Sequence, residues 1–357
     1  MMRREILLLL SLGLVLVCSG CSNRQEDTGK SEVSERSVSS GDRRQESSET
    51  DREADTGVSD SNEGVVRSIP ETLAQIPEGY DTPADQQGKI EKLTYMTYES
   101  MRYEEKSQRL EKTAYVYLPY GYSEEKQYNV FYLMHGGWSN ETTMLGTDQQ
   151  AGTLKHVIDH AIQDGRMQPM IIVCPTYNNT SPEDSSSYSL ALRLTDNYHN
   201  ELVNDLIPAV EGRYSSYAED TSPEGIAASR MHRGFGGFSM GSVATWHIFQ
   251  YCLDDFYYFM PMSGSFTTDG DFMSQIVTES GYGPEDFFIY AMSGTDDFAY
   301  SAFARQMEAM LETSDGNFVE ADNDREGNLA FRVQEGGTHN GEYAEQYIYN
   351  GLCWFWN

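Results

Sequence analysis

Strand-like and helix-like segments alternate from about residue 86 to residue 357, and this alternation constrains the fold more than any other feature. Residues 128–134 and 170–174 are largely apolar runs, which is typical of strands buried on both faces of a sheet. Residues 92–98 and 112–118 alternate between apolar and polar side chains, as half-exposed strands do. The alternation of strand-like and helix-like segments predicts one α/β domain with a mostly parallel central sheet and helices on both faces.

The remaining elements are predicted from the same patterns. Strands are expected to end at Phe238 and to span 257–262, 287–292 and 329–334. Helices are expected at 152–163, 200–214, 241–251, 272–280 and 300–312, and from 341 onward.

The first 21 residues have the pattern of a secretion signal. Arg3 and Arg4 precede an apolar run at residues 6–17, which is short for a membrane-spanning helix. The run ends in Cys18-Ser19-Gly20-Cys21, which resembles a bacterial lipobox and predicts a lipid on Cys21. We therefore expect an extracellular protein that contacts the bacterial cell membrane only through this lipid anchor. The alternative is an ordinary cleaved signal and a secreted protein.

Residues 22–85 differ in composition from the rest of the chain. They are rich in Ser, Glu, Asp, Arg and Thr, and they nearly lack aromatic side chains. Such a segment buries too little apolar surface to offset the entropy of ordering. We expect a disordered, acidic, Ser-rich linker that precedes a domain at 86–357. Roughly 270 residues suffice for one large α/β core.

The chain carries a formal net charge of −31 at pH 7. Such a surface repels phosphate backbones, which excludes nucleic acid as an expected partner. After Cys21 only Cys174, Cys252 and Cys353 remain, so at most one internal disulfide can form. No Cys or His cluster has the spacing of a zinc site, and neither a metal nor a cofactor is predicted. The sequence does not predict the oligomeric state.

Residues 237–241 read Gly-Phe-Ser-Met-Gly and match the G-x-S-x-G nucleophile elbow. A strand-like segment leads into this pentapeptide and a helix-like segment leads out of it. The elbow requires that context, because the serine backbone is strained and its small neighbours must clear a sharp turn. Ser239 is therefore the predicted nucleophile. The alternative is a plain strand-to-helix turn with a solvent-facing serine.

A serine hydroxyl needs a base within hydrogen-bond reach, and in the α/β-hydrolase fold the chain order is Ser, acid, His. Only His247 and His339 follow Ser239. His247 lies about two turns along the helix that leaves the elbow, so it cannot reach the serine oxygen. His339, in a glycine-rich loop after the last strand, is the predicted base; the alternative is a loop histidine without that role.

The acid is expected on the loop after the strand at 287–292. Two adjacent carboxylates, Asp296 and Asp297, compete for this role. A carboxylate here would hold the tautomer of His339 and stabilise its imidazolium. Asp297 is preferred, and Asp296 would then cap the following helix or face solvent.

An oxyanion needs hydrogen-bond donors. One predicted donor is the backbone N–H of Met240, at the start of the helix after the elbow. The second is expected in the loop after strand 128–134, from Gly137 or Trp138, where glycines let the backbone approach the substrate. His135, at the start of this loop, is expected to be structural.

Several sequence blocks in this order resemble the feruloyl-esterase and acetyl-xylan-esterase group of carbohydrate esterases, an esterase-D-like branch of the α/β-hydrolases. The resemblance covers roughly residues 90–357 and rests on the blocks 116–119, 133–137, 233–241, 261–264, 294–297 and 337–339. It implies the triad Ser239, Asp297 and His339. It also implies an acylated polysaccharide substrate, with release of hydroxycinnamic acids or acetate from esterified arabinoxylan.

The chain departs from this group at two points. Gly241-Ser242 stands where many relatives have Gly-Gly, and Asn340-Gly341-Glu342-Tyr343 stands where many have Trp soon after the catalytic His. The second difference is expected to alter the acyl pocket. Aromatic candidates for lining the cleft are Trp138, Tyr188, Tyr198 and Tyr300.

Two other functions are compatible with these residues. One is hydrolysis of a different ester, or acyl transfer, on the same fold. The other is a non-catalytic glycan-binding lipoprotein on a hydrolase scaffold, since a fold does not by itself imply a function. The second alternative is disfavoured because Ser, Asp and His all occur in the expected order.

Overall fold

The computed structural model describes residues 66–357. The predicted signal, Cys21 and residues 22–65 of the predicted linker lie outside the described residues. Within residues 66–357, no helix has the length and hydropathy that crossing a membrane needs.

The centre of the domain is an eight-stranded sheet. Its strands are β1 (Lys89–Tyr98), β2 (Arg109–Leu118), β3 (Val130–Met134), β4 (Ile171–Cys174), β5 (Arg233–Phe238), β6 (Tyr258–Met262), β7 (Phe288–Gly294) and β8 (Leu329–Gln334). Their order across the sheet is β1-β2-β4-β3-β5-β6-β7-β8. β1, β2 and β4 pair antiparallel, whereas β4, β3 and β5 to β8 pair parallel. The prediction of a mostly parallel sheet is confirmed.

The helices follow the parallel strands. They are α1 (Thr153–Gln163), α2 (Tyr188–Glu201), α3 (Ile207–Glu211), α4 (Pro223–Ala228), α5 (Met240–Tyr251), α6 (Gly270–Ser280), α7 (Tyr300–Leu311) and α8 (Gly341–Trp354). The predicted single helix at 200–214 is wrong. Helix α2 begins earlier, and a π-helical turn at Leu202–Leu206 separates it from α3. Pro208 follows this turn, and its missing N–H disturbs the regular helical ladder.

Helices cover both faces of the sheet because alternate residues of each buried strand point to opposite sides. In β3, Val130, Tyr132 and Met134 join a core with α2, α5, α6 and α7. Phe131 and Leu133 join a second core with α1 and α8. Both faces of the central strands are therefore dry, which explains their largely apolar sequences.

The predicted domain boundary at residue 86 is wrong for residues 66–85. Ile69, Leu73 and Tyr80 are buried in the core that contains α1 and α8. The Ile69 N–H donates to the Asp322 carbonyl at 2.8 Å, and Tyr80 stacks on His160 with ring centroids 4.7 Å apart. Widely spaced apolar residues show no periodic pattern, yet each can fill a gap in an existing core.

Candidate active site

Ser239 lies at the carboxyl end of β5, between that strand and α5. Its backbone has φ 60° and ψ −117°, a strained conformation for a residue with a side chain. The glycines on either side are needed for space. A Cβ on Gly237 would lie 2.6 Å from the Met134 carbonyl oxygen, and a Cβ on Gly241 would lie 2.5 Å from the same atom. The turn thus exposes the serine while it packs directly against β3.

The loops after β7 and β8 bring Asp297 and His339 together. Nδ1 of His339 lies 2.8 Å from each carboxylate oxygen of Asp297. The Ala299 N–H also donates to this carboxylate at 2.8 Å. Burial raises the pKa of Asp297, but hydrogen bonds from His339, the Ala299 N–H and Ser263 outweigh it, so the pKa lies below its ordinary value. Asp297 is therefore an ionised partner for the imidazole.

Asp296 points elsewhere. Its side chain is exposed and accepts a hydrogen bond from the hydroxyl of its neighbour Thr295 at 3.3 Å. Its backbone N–H donates to the Gly337 carbonyl at 3.0 Å. Of the two adjacent aspartates, the structure places Asp297 at His339, and Asp296 contributes a backbone link between the two loops.

The imidazole of His339 lies between two aromatic rings. The Phe238 ring centroid is 4.5 Å away and the Phe298 centroid is 4.2 Å away. His339 and Ser239 line the same two cavities, so the ring reaches the space around the nucleophile. His247 is remote from this arrangement, because it is buried on α5 beside Phe266.

The loop after β3 approaches the elbow closely. A Cβ on Gly136 would lie 3.5 Å from Cβ of Ser239. The Trp138 N–H already donates to the Ser185 carbonyl at 3.1 Å. Within residues 66–357, the N–H groups of Gly137 and Met240 have no acceptor. Of the two expected loop donors, Gly137 is thus the one whose N–H remains available.

Two cavities flank Ser239 and His339. One has a volume of about 340 Å³ and extends toward Met144, Asn340 and Glu345. The other has a volume of about 410 Å³ and extends toward Tyr188, Val243 and Ala302. The cleft therefore has room for a substituent on each side of the reacting bond.

Exposed aromatic side chains border the cleft. Trp138 is 74 % exposed, Tyr188 63 % and Phe298 80 %. Trp138 and Tyr188 were expected there, but Tyr198 is buried in the core and Tyr300 lines neither cavity. Sequence reasoning missed Phe298, although its position directly after Asp297 was a usable signal.

The described part of the chain contains no group of three or more His, Cys, Asp or Glu side chains that could hold a metal ion. The thiols of Cys174, Cys252 and Cys353 are free.

The molecule is an α/β-hydrolase, because its parallel sheet carries Ser239, Asp297 and His339 after β5, β7 and β8, in the chain order of that class. Residues 107–343 match the model of the Esterase family, which is described as "Putative esterase". The chain belongs to this family, and the prediction of an esterase is confirmed at that level.

Two bacterial xylanases contain related segments. Endo-1,4-beta-xylanase Y of Acetivibrio thermocellus is 38 % identical over 287 residues, which are 79 % of this chain and 24 % of the relative. An endo-1,4-beta-xylanase/feruloyl esterase of Xylanibacter ruminicola is 30 % identical over 139 residues, which are 38 % of this chain and 17 % of the relative. The chain thus spans at most about a quarter of the length of these relatives.

Solved structures of feruloyl esterases are also similar to this domain. A mutant of the feruloyl esterase module from Clostridium thermocellum, complexed with sinapinate, has a TM-score of 0.70 and 37 % identity. The match covers 82 % of this chain and 96 % of that one. A ferulic acid esterase from Anaeromyces mucronatus, at 20 % identity and a TM-score of 0.54, shares the fold. The resemblance to the feruloyl-esterase group is confirmed.

Proposed function

We propose that the chain is a secreted serine esterase that hydrolyses acyl esters of xylan through an acyl-enzyme on Ser239. The observation that carries the proposal is the Asp297–His339 pair, joined at 2.8 Å beside a strained serine that lines the same cavities. A carboxylate, an imidazole and a hydroxyl in this order are the groups that activate a serine nucleophile.

In the first half of the reaction, Oγ of Ser239 attacks the ester carbonyl and His339 takes its proton. Asp297, ionised because hydrogen bonds lower its pKa, stabilises the imidazolium and keeps the second ring nitrogen toward the serine. The N–H groups of Met240 and Gly137 donate to the oxyanion of the tetrahedral intermediate. Collapse of this intermediate breaks the bond between the acyl carbon and the sugar oxygen, His339 protonates that oxygen, and the acyl-enzyme remains.

In the second half, His339 removes a proton from water, and the water attacks the acyl-enzyme carbonyl. The same two N–H groups stabilise the second oxyanion. Collapse of this intermediate breaks the bond to Ser239, and His339 returns the proton to the serine oxygen. The acid is released and the enzyme is restored.

For the acyl group we propose a hydroxycinnamoyl ester, such as a feruloyl ester. A cavity of about 410 Å³ is far larger than an acetyl group needs, and aromatic side chains border it. The relative that is complexed with sinapinate, at 37 % identity, supports the same class of acyl group. An acetyl ester of xylan is the second candidate, since the resemblance covers both activities.

We also propose that the N-terminal signal directs export and that Cys21 carries the lipid. These residues lie outside the described part, and the proposal rests on the sequence pattern. Expression of the full chain and its Cys21→Ala variant in a bacterial host would test it. We expect the wild-type protein in the membrane fraction and the variant outside it. Equal distribution of both would contradict the lipid anchor.

The activity is tested with the full chain on methyl ferulate beside an aryl acetate, with Ser239→Ala as the blank. Serine-dependent release of ferulate is the expected result. Release of acetate alone would move the substrate toward acetylated glycans or another ester. If neither ester is cut, the non-catalytic glycan-binding alternative replaces the proposal. Full activity of Ser239→Ala would contradict the mechanism itself.

A further inference from the structure

We propose that Tyr177 and His135 are positioning residues that aim the Gly137 N–H at the oxyanion. The inference rests on the proposed function, because it assigns a role to side chains that touch the loop and not the substrate. Both side chains are buried, each with 1 % of its surface exposed. Neither is a member of the Ser239, Asp297 and His339 set.

The two side chains bind the same backbone oxygen. The Tyr177 hydroxyl donates to the Gly136 carbonyl at 2.9 Å, and Nδ1 of His135 lies 2.7 Å from it. That carbonyl and the Gly137 N–H belong to one peptide unit. A peptide unit is planar and trans, so its C=O and N–H point in opposite directions. Fixing the oxygen of Gly136 on the buried side therefore fixes the direction of the Gly137 N–H.

This support matters because glycines do not fix their own conformation. Gly136 and Gly137 are adjacent, and each has a wide range of accessible backbone angles. An oxyanion donor is effective only when it is aimed before the charge develops. The next peptide is held differently, since the Trp138 N–H donates to the Ser185 carbonyl at 3.1 Å. The two hydrogen bonds to Gly136 thus hold the peptide of this loop that carries the available Gly137 N–H.

His135 is itself held in one orientation. Nε2 accepts a hydrogen bond from the Thr176 hydroxyl at 2.7 Å, and its ring stacks on Tyr177 with centroids 4.5 Å apart. Burial lowers the pKa of His135 to about 4, against the hydrogen bond to Gly136, and nearby Lys112 lowers it further. The ring is neutral at neutral pH. A carbonyl oxygen can only accept, so the single ring proton lies on Nδ1.

A buried ion pair anchors the segment after β4 that carries Thr176 and Tyr177. Nζ of Lys112 donates to the Thr176 carbonyl at 2.7 Å and pairs with the Glu201 carboxylate at 2.7 Å. The Asn178 N–H donates to the Thr176 hydroxyl at 3.0 Å. The support for the loop after β3 therefore extends from β2 through Thr176 to His135 and Tyr177.

The principal test is Tyr177→Phe in the full chain. We expect kcat for methyl ferulate to fall about 10-fold with KM nearly unchanged, since full removal of one oxyanion donor costs about 10²–10³-fold. A phenylboronic acid, which adds to the serine oxygen to form a tetrahedral adduct, should bind about 10-fold more weakly. The affinity for free ferulate should stay the same. If Tyr177 had a purely structural role, the affinities for the boronic acid and for ferulate would fall together.

The matched control is Tyr117→Phe. Its hydroxyl is equally buried and donates to Asp159 at 2.8 Å, but it contacts α1 and not the loop. We expect this variant to lower the Tm and to leave kcat and boronic acid affinity unchanged. Equal losses of kcat in the Tyr117 and Tyr177 variants would overturn the inference.

A second pair of variants covers the case in which Tyr177→Phe does not fold. In His135→Asn the side-chain amide lies near the former Nδ1, whereas in His135→Gln it lies near the former Nε2. We expect His135→Asn to retain several-fold more kcat than His135→Gln, because only the first keeps a donor for Gly136. The reverse order would overturn the inference. Activity that survives Ser239→Ala would instead overturn the proposed function.

Discussion

The loops after β3 and after β8 meet at the same edge of the sheet, and each brings a histidine to the site. His135 is 1 % exposed, and both of its ring nitrogens have fixed hydrogen-bond partners. The His339 side chain is 17 % exposed, pairs with Asp297 through Nδ1 and lines the cleft. Both rings thus lie on loops at the carboxyl ends of the parallel strands, but they differ in burial and in their hydrogen-bond partners.

This difference in environment suits His135 to holding the backbone of its loop and His339 to transferring a proton. A neutral, buried imidazole with both nitrogens occupied cannot exchange protons without breaking its contacts. An imidazole beside an ionised carboxylate, with its other nitrogen toward a cleft, can accept and return one. Position in the sequence beside a glycine-rich loop is common to both histidines, so only the environment distinguishes their roles.

The largest expected effect comes from His339→Gln. We expect kcat to fall by about 10⁵-fold or more, because the serine loses its base. The Tm should change little, since the ring lies at the cleft surface. Steady-state kinetics beside thermal unfolding checks both values. Near-wild-type turnover would contradict the assignment of proton transfer to His339, and with it the functional difference between the two histidines.

The next effect separates the two adjacent aspartates. Asp297→Asn should lower kcat by about 10⁴-fold, because the amide no longer stabilises the imidazolium or selects the tautomer of His339. Asp296→Asn should stay within about twofold, because an exposed rim charge contributes little. The comparison is made on methyl ferulate at saturating concentration. If only Asp296→Asn lost activity, the acid would be misassigned.

The pH dependence of stability tests the environment of His135. Its pKa falls from an ordinary 6.5 to about 4 on folding, so the unfolded chain binds this proton more readily. Neutral His135 therefore makes its full contribution to the free energy of unfolding above pH 6.5. This free energy falls by about 3 kcal/mol as the pH falls toward 4. Urea unfolding between pH 4 and 7 measures the slope.

The His135→Asn variant is the control for this slope. Other histidines with lowered pKa values act in the same direction, so only the difference between the wild type and the variant isolates His135. They are His156, His199, His232 and His247. Identical slopes in both proteins would contradict a neutral, buried His135.

The smallest expected effect is that of Phe298→Ala. Phe298 is 80 % exposed and its ring lies 4.2 Å from the His339 ring. A similar aromatic contact between Phe298 and an aryl substrate would contribute about 0.5–1.5 kcal/mol, which predicts a loss of about 2–13-fold in kcat/KM for an aryl ester with little change in Tm. A large drop in Tm would show that the side chain supports the fold rather than the cleft.

Much of the fold was predictable because it depends on local patterns. Apolar runs identified the buried strands, and the G-x-S-x-G pattern identified the elbow together with its flanking strand and helix. The packed segment at 66–85 and the π-helical turn before Pro208 were missed. Both depend on what other parts of the chain place beside them, and periodicity carries no information about that.

For the candidate site too, local patterns predicted some features, whereas others depended on tertiary contacts. Chain order and residue type pointed to Ser239, His339 and a pair of aspartates. The choice between Asp296 and Asp297, and between Gly137 and Trp138, depended on which group faces which neighbour. Adjacent residues have nearly the same sequence context, but their side chains and N–H groups point in different directions.

The amino-acid sequence by itself determined the α/β architecture, the strained serine elbow and the residue types available for acid and base. These follow from periodicity, glycine placement and chain order, all of which are local properties. The tertiary structure alone decided which aspartate meets His339, that Phe298 borders the cleft, and that Tyr177 and His135 hold the Gly136 carbonyl. The contacts of Asp297 and Phe298 with His339, and of Tyr177 with Gly136, join loops that follow different strands, and their geometry exists only when the sheet aligns the strand ends.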